Sequence, residues 1–291
     1  MKLIGYTCTY NEAKMVKYVM PYVERMGYDK FIVYDNESTD DTVELLKKYD
    51  FVEIRTWKRT NKTLCGDKLV LQKLAYKEVS DMAKIGTENE ELIWYSWTDF
   101  DEVIYCSCGM NCKRALKSLY EYEHYNCFDG RMLNLVCFSD LSTNETLAHT
   151  WPNSRLSWCG PSWAKPLLVA VNDFESIDFI DGNHCMFVTP KIGKEIRSLS
   201  NTMWFHSFHL KYVNKDIHAN RESLRKSYGS VEDNDIYENS VVASSFPTEM
   251  YFALSGFFSQ DKSETFWWEQ CRNNKDKEKM FSRFSNKNKL K

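Results

Sequence analysis

The chain has 291 residues and a formal net charge of −3, which excludes a general nucleic-acid binder, because neutralising phosphates takes a basic surface. Its length suits one large domain with a sizeable core, and no apolar run approaches the roughly 18–20 residues needed to cross a bilayer. Met1-Lys2 runs straight into Leu3-Ile4-Gly5-Tyr6 with no charged leader and apolar stretch, so a cytoplasmic chain is expected, its ten cysteines mostly reduced.

Leu3 to Thr7 reads as a short buried strand. Asn11 and Glu12 then open a helical pattern with Val16, Val19, Met20, Val23 and Met26 on one face, stopped by Gly27. Lys30 to Tyr34 is the second strand, and Ser38 with Asp41 precedes a helix over 42–49. Phe51 to Arg55 is the third strand, Asp67 to Lys84 a longer helix, and Leu92 to Trp97 the fourth strand. Strands alternating with helices predict βαβ units: an α/β fold with a mostly parallel central sheet flanked by helices. Ligands of such sheets bind beyond the carboxyl ends of the strands. Those ends here are polar: Thr9 to Glu12, Asp35 to Ser38 and Asp99 to Glu102.

Beyond residue 105 the signals thin. A helix is expected over 112–122, a strand over 130–139, and a loop in the Trp-, Pro- and Ser-rich stretch 151–163. Two short strands are expected within 174–188 around Asp181-Gly182, and a helix over 220–228. With no repeat and no clear linker, residues 1–270 read as one domain, followed by a basic tail over 271–291.

Asp99, Asp101 and Glu102 carry the strongest chemical signal. Residues at i and i+2 of an extended chain point the same way, so Asp99 and Asp101 are placed to converge on one ion. Carboxylates that close repel unless a cation lies between them. Mn²⁺ or Mg²⁺ takes one or two such carboxylates plus substrate phosphates, and neutralises charge on a departing diphosphate. A solvated turn is the ordinary fate of an Asp-x-Asp, but the end of the fourth strand in a βαβ series argues for the ion.

Cys8-Thr9-Tyr10-Asn11-Glu12, Tyr34-Asp35-Asn36-Glu37-Ser38-Thr39-Asp40 and Asp99-Phe100-Asp101-Glu102, in that order, resemble the GT-A fold of family-2-like glycosyltransferases. The resemblance covers residues 3–105 and implies a nucleotide-binding half there, with an acceptor-binding half over 106–270. It implies nucleoside contacts from Thr9, Tyr10, Asn11, Glu12 and Asp35, and base or phosphate contacts from Lys68 or Gln72. It places Asp99 near ribose and metal and makes Asp101 a metal ligand. His209 and Lys211 match a histidine and a basic residue that touch metal or diphosphate in related enzymes, with His206 the alternative ligand.

The activity implied is transfer from a nucleotide-sugar, UDP-linked by resemblance, to a saccharide or lipid-linked glycan, with inversion. Inversion needs a general base to take the acceptor proton. The resemblance puts that base in the second half, where Asp173, Glu175, Asp178 and Asp181 are the candidates and Asp181 the best placed, beside Gly182. Trp158 and Trp163 suit stacking on a sugar face, with core packing the plainer alternative. Cys106, Cys108 and Cys112 lack the paired spacing of a zinc site and read as buried thiols. Phe266-Trp267-Trp268 beside the basic tail suits peripheral membrane contact, against a packed helix as the alternative. Two rival activities remain: a sugar-nucleotidyltransferase, which would want a glycine-rich basic loop where Thr9 to Glu12 stand, and a saccharide-binding module, which would not need Asp99 and Asp101 together.

Overall fold

Near-continuous apolar runs make the first strands, and helices between them return the chain so that each new strand lies parallel to an earlier one. β1 (Lys2–Thr9) leads through α1 (Ala13–Arg25) to β2 (Lys30–Asp35), then α2 (Thr42–Leu46), β3 (Val52–Thr56), α3 (Leu64–Ile85) and β4 (Ile93–Trp97). β1 pairs in parallel with both β2 and β4, and β2 with β3. The computed structural model describes residues 1–60, 64–85, 91–106, 111–137, 154–158, 164–180, 185–199, 205–210 and 217. The chain divides into two units, Met1–Ser245 and Phe246–Lys291, and every described residue lies in the first.

The second half extends the same sheet with mixed directions. Its elements are β5 (Glu102–Cys106), α4 (Cys112–Glu123), β6 (Cys127–Cys137), β7 (Ser154–Trp158), β8 (Ala164–Ala170), a 3-10 turn (Val171–Asp173), β9 (Phe174–Ile180), β10 (Cys185–Pro190), β11 (Ser198–Leu199) and β12 (Phe205–His209). The sheet order is β3-β2-β1-β4-β8-β6-β12-β5, with β7 and β11 both paired to β6, while β9 and β10 form a separate antiparallel pair. An α/β fold with helices flanking a central sheet is thus present, parallel throughout β3-β2-β1-β4 and again where β6 meets β12 and β11.

Three local expectations change. The stretch 151–163, read as a loop, contains β7, which runs antiparallel to β6 from Cys137↔Ser154 to Leu133↔Trp158. Glu102, read as the last polar residue after β4, opens β5, whose partner β12 lies about a hundred residues later in the chain. The strand expected over 130–139 starts earlier, at Cys127. The helix over 220–228 and the tail lie outside the described residues.

Successive residues of β4 face opposite layers. Tyr95 and Trp97 join Tyr6, Tyr34, Leu71, Tyr76 and Val79 in a cluster between the sheet and α3, closed by Ile177 and Phe179 of β9. Trp94 faces the other layer, 6.1 Å from the Tyr120 ring of α4 and 5.6 Å from Phe128. After α1 the chain turns at Gly27, whose φ of +75° is costly for a residue with a Cβ. The side chain of Asn111 fills the space a Cβ would take, its Nδ2 only 2.4 Å from that position. No helix among the described residues is long and apolar enough to cross a membrane.

Candidate active site

The parallel register aligns Thr9 with Asp35 at the carboxyl ends of β1 and β2, and the loops beyond them interlock. Asn11, at a positive φ of 53°, holds the second loop: its Oδ1 accepts from the Thr39 backbone N–H at 2.8 Å and from that of Asp40 at 3.3 Å. Ser38 answers from the other side. Its hydroxyl accepts from the Asn11 N–H at 2.9 Å and donates to Asp35 Oδ1 at 2.6 Å, while its N–H donates to Asp35 Oδ2 at 2.9 Å. Thr42 accepts from the Glu12 N–H at 2.8 Å, and Asp40 accepts from the Ala13 N–H at 3.1 Å. Short polar side chains that bond nearby backbone are the usual builders of such turns. Asp35 is buried, and both of its oxygens accept from Ser38.

The second assembly surrounds Asp99. The Lys68 ammonium of α3 donates to Asp99 Oδ1 at 2.6 Å, and the Lys165 ammonium of β8 reaches Asp99 Oδ2 at 3.4 Å. Lys165 also donates to Glu102 Oε1 at 2.5 Å, while Glu102 Oε2 accepts from the Asp99 N–H at 3.1 Å. Lys165 and Glu102 are almost wholly buried, so this is an interior ion pair that stands only because each charge has its partner. Burial opposes ionisation of Asp99, but Lys165 and Lys68 outweigh it and hold the carboxyl well below the usual carboxylate range. Burial likewise works against both ammonium groups, and the carboxylates around them raise both above the ordinary lysine value.

Asp101 belongs to a different partnership. Its Oδ2 lies 2.9 Å from His209 Nε2. The pair is set by two strands: β12 runs antiparallel to β5 with His209 opposite Glu102, and the Leu210 N–H donates to the Asp101 carbonyl at 2.7 Å. The ion-pair contacts of Asp99 and Asp101 thus differ, though both carboxylates act on the Lys165 ammonium and raise it. No group of three or more His, Cys, Asp or Glu side chains that could hold a metal occurs among the described residues. Cys8, just before Thr9, is a thiol pushed up to about 12 by burial, with Lys68 working the other way.

The family model for glycosyltransferase family 92 matches residues 6–155, from β1 through the start of β7. The chain belongs to glycosyltransferase family 92. Membership bears out the glycosyltransferase part of the resemblance. No curated protein matches this family-92 chain. Among solved structures it is similar to TarS of S. aureus, at 13% identity and a TM-score of 0.41, over 72% of this chain but only 37% of that one. It is also similar to 4-diphosphocytidyl-2C-methyl-D-erythritol synthase from Anaerococcus prevotii, at 9% identity, 77% and 96% coverage and a TM-score of 0.32. A UTP-bound UGPase from Acinetobacter baumannii follows, at 10% identity, 76% and 92% coverage and a TM-score of 0.30. Likenesses at this level bear on neither donor nor reaction.

Of the predicted residues, Thr9 to Glu12 and Asp35 belong to the loop assembly, and Lys68, Asp99, Asp101 and His209 to the charged one. Thr9 Oγ1 and both amide atoms of Gln72 are buried without a hydrogen-bond partner. Glu175 and Asp178 are exposed on β9, Glu175 at a bulge where Phe174 pairs with Pro190 and Ser176 with Thr189. Asp181, Lys211, Trp163 and Cys108 lie outside the described residues, as does the side chain of Trp158. Cys106 and Cys112 are buried and in no disulfide among the described residues. Local reading missed Lys165, which stands alone in an apolar stretch, Ala164-Lys165-Pro166-Leu167-Leu168. A single charge inside an apolar run was the available signal, since a buried lysine needs a carboxylate partner.

Proposed function

We propose that this family-92 transferase moves a sugar from a nucleotide-sugar, a UDP-sugar in the first instance, to a saccharide or lipid-linked saccharide, inverting the anomeric centre with Mn²⁺ or Mg²⁺ as cofactor. The Asp101–His209 pair carries the reading. Two donors at right angles on an ion with bonds of roughly 2.1 Å stand about 3 Å apart, and Asp101 Oδ2 and His209 Nε2 are 2.9 Å apart. The separation of these two atoms therefore fits two donors on one ion. A bound ion would supply Lewis-acid neutralisation of the departing diphosphate.

The chain's own groups supply the rest. Lys165 and Glu102 fix Asp99 from inside, which leaves Lys68, the more exposed of the two lysines at 16% against 2%, as the cation a diphosphate reaches. The interlocked loops at Asn11 and Ser38 present a rigid rim for the nucleoside. The unpaired Thr9 hydroxyl and Gln72 amide are buried polar groups with bonding capacity left for a ligand, and such groups are costly while they stay unpaired.

UDP- and GDP-sugars should be screened with Mn²⁺ for nucleotide release by the wild type and by Asp101→Ala. The expected outcome is release by the wild type that chelation abolishes and Asp101→Ala lacks. Equal release by both proteins would refute the role given to Asp101.

A further inference from the structure

We propose that Asp129 is the general base that takes the proton of the attacking hydroxyl, an assignment that rests on the transferase reading above. Asp129 sits on β6 opposite Pro166 of β8, next to the pair formed by Gly130 and Lys165. Lys165, whose ammonium reaches Asp99, shares the face of Gly130, so Asp129 points to the other face of the sheet. β8 lies between β6 and β4, so Asp129 stands two strands from the end of β4, where Asp99 and Asp101 emerge.

Its neighbours fix the face it occupies. Cys127, two residues earlier, belongs to the cluster with Tyr95, Trp97 and Tyr76 under α3. Phe128 and Gly130 face the opposite layer. The Phe128 ring is 4.8 Å from that of Phe205, and a Cβ added to Gly130 would lie 3.0 Å from the Phe205 carbonyl oxygen. The register slips between Phe128 and Asp129, but the extra residue is Leu167 on β8, so the alternation along β6 is preserved. Asp129 therefore shares its face with α3, the helix that delivers Lys68 to Asp99.

Two properties set Asp129 apart from the other carboxylates. Asp99, Asp101 and Glu102 are each committed to a cation or a histidine, and Asp173 to Asn126, Tyr120 and Lys194. Among the described residues Asp129 has no hydrogen-bond or ion-pair partner. It is also half-buried, and burial raises its carboxyl above the ordinary aspartate value. A carboxylate shifted towards neutrality, with its lone pairs uncommitted, is what proton abstraction at neutral pH requires. Glu175 and Asp178, by contrast, are exposed on the β9–β10 pair.

The step balances. The acceptor oxygen bonds to the anomeric carbon of the donor while its proton passes to an Asp129 carboxylate oxygen. The electron pair of the breaking carbon–oxygen bond leaves on the diphosphate.

The test uses the full chain, Mn²⁺ and whichever UDP- or GDP-sugar the wild type hydrolyses. Water serves as acceptor, and azide as a nucleophile with no proton to lose. In Asp129→Asn, release to water should fall on the order of 10²- to 10⁴-fold with donor KM unchanged. Azide should restore release and yield the glycosyl azide. Asp129→Ala, which removes the carboxylate without adding an amide, should show the same pattern, and this guards against misfolding of one variant. Wild-type release in these variants, or a loss that azide does not restore in either, overturns the assignment. So does azide rescue of Asp181→Asn in place of the Asp129 variants. A wild type that releases nucleotide from no donor sinks the transferase reading itself, a result distinct from any of these.

Discussion

The two polar assemblies at the carboxyl end of the sheet are held in opposite ways. The loops around Asn11 and Ser38 are joined mainly by backbone N–H groups donating to short side chains, between segments 27 or 28 residues apart. The centre at Asp99 is joined by full charges brought from α3 and β8, with sequence separations of 31, 66 and 63 residues for its three lysine contacts. The first lies nearer the surface, with Thr39 and Asp40 exposed, so that water can replace some lost partners. The second is largely interior, where a charge left alone has no substitute. Rigidity is thus obtained by many weak bonds in one place and by a few strong, mutually dependent ones in the other.

Breaking the interior set should have the largest effect. Lys165→Met leaves Glu102 and Asp99 without their shared cation and should destabilise the fold by about 3–5 kcal/mol in denaturant unfolding. A cost under about 1 kcal/mol would erase the contrast between the two assemblies. The loop lattice should respond less. Ser38→Ala removes one bond to Asp35 and one from the Asn11 N–H, for a loss of about 1–2 kcal/mol by the same measurement. Smallest of all, Lys113→Met breaks a half-exposed pair with Asp29 and should cost under about 1 kcal/mol, less at high salt. If this surface pair matched Lys165 in cost, burial would not be the variable that separates the two regions.

The first half of the fold was legible because its determinants are local. Apolar runs too short for helices, Gly27 closing α1 and polar residues at each strand end mark β1 to β4 without reference to the rest of the chain. β5 and β7 were not legible. Each is defined by pairing with a strand distant in sequence, and the Trp and Ser content of residues 151–163 conceals the alternation that pairing exploits.

The sequence by itself determined that carboxylates cluster after the fourth strand and that the strand ends at Thr9 to Glu12 and Asp35 to Ser38 are polar, since residue type and spacing suffice for both. Only the tertiary structure decided which partner each carboxylate has. Asp99 is matched to Lys68 and Lys165, Asp101 to His209, and Asp129 to no described residue. The reason is that electrostatic partnership depends on distance and burial, and strand order and register fix both between residues that the chain keeps far apart.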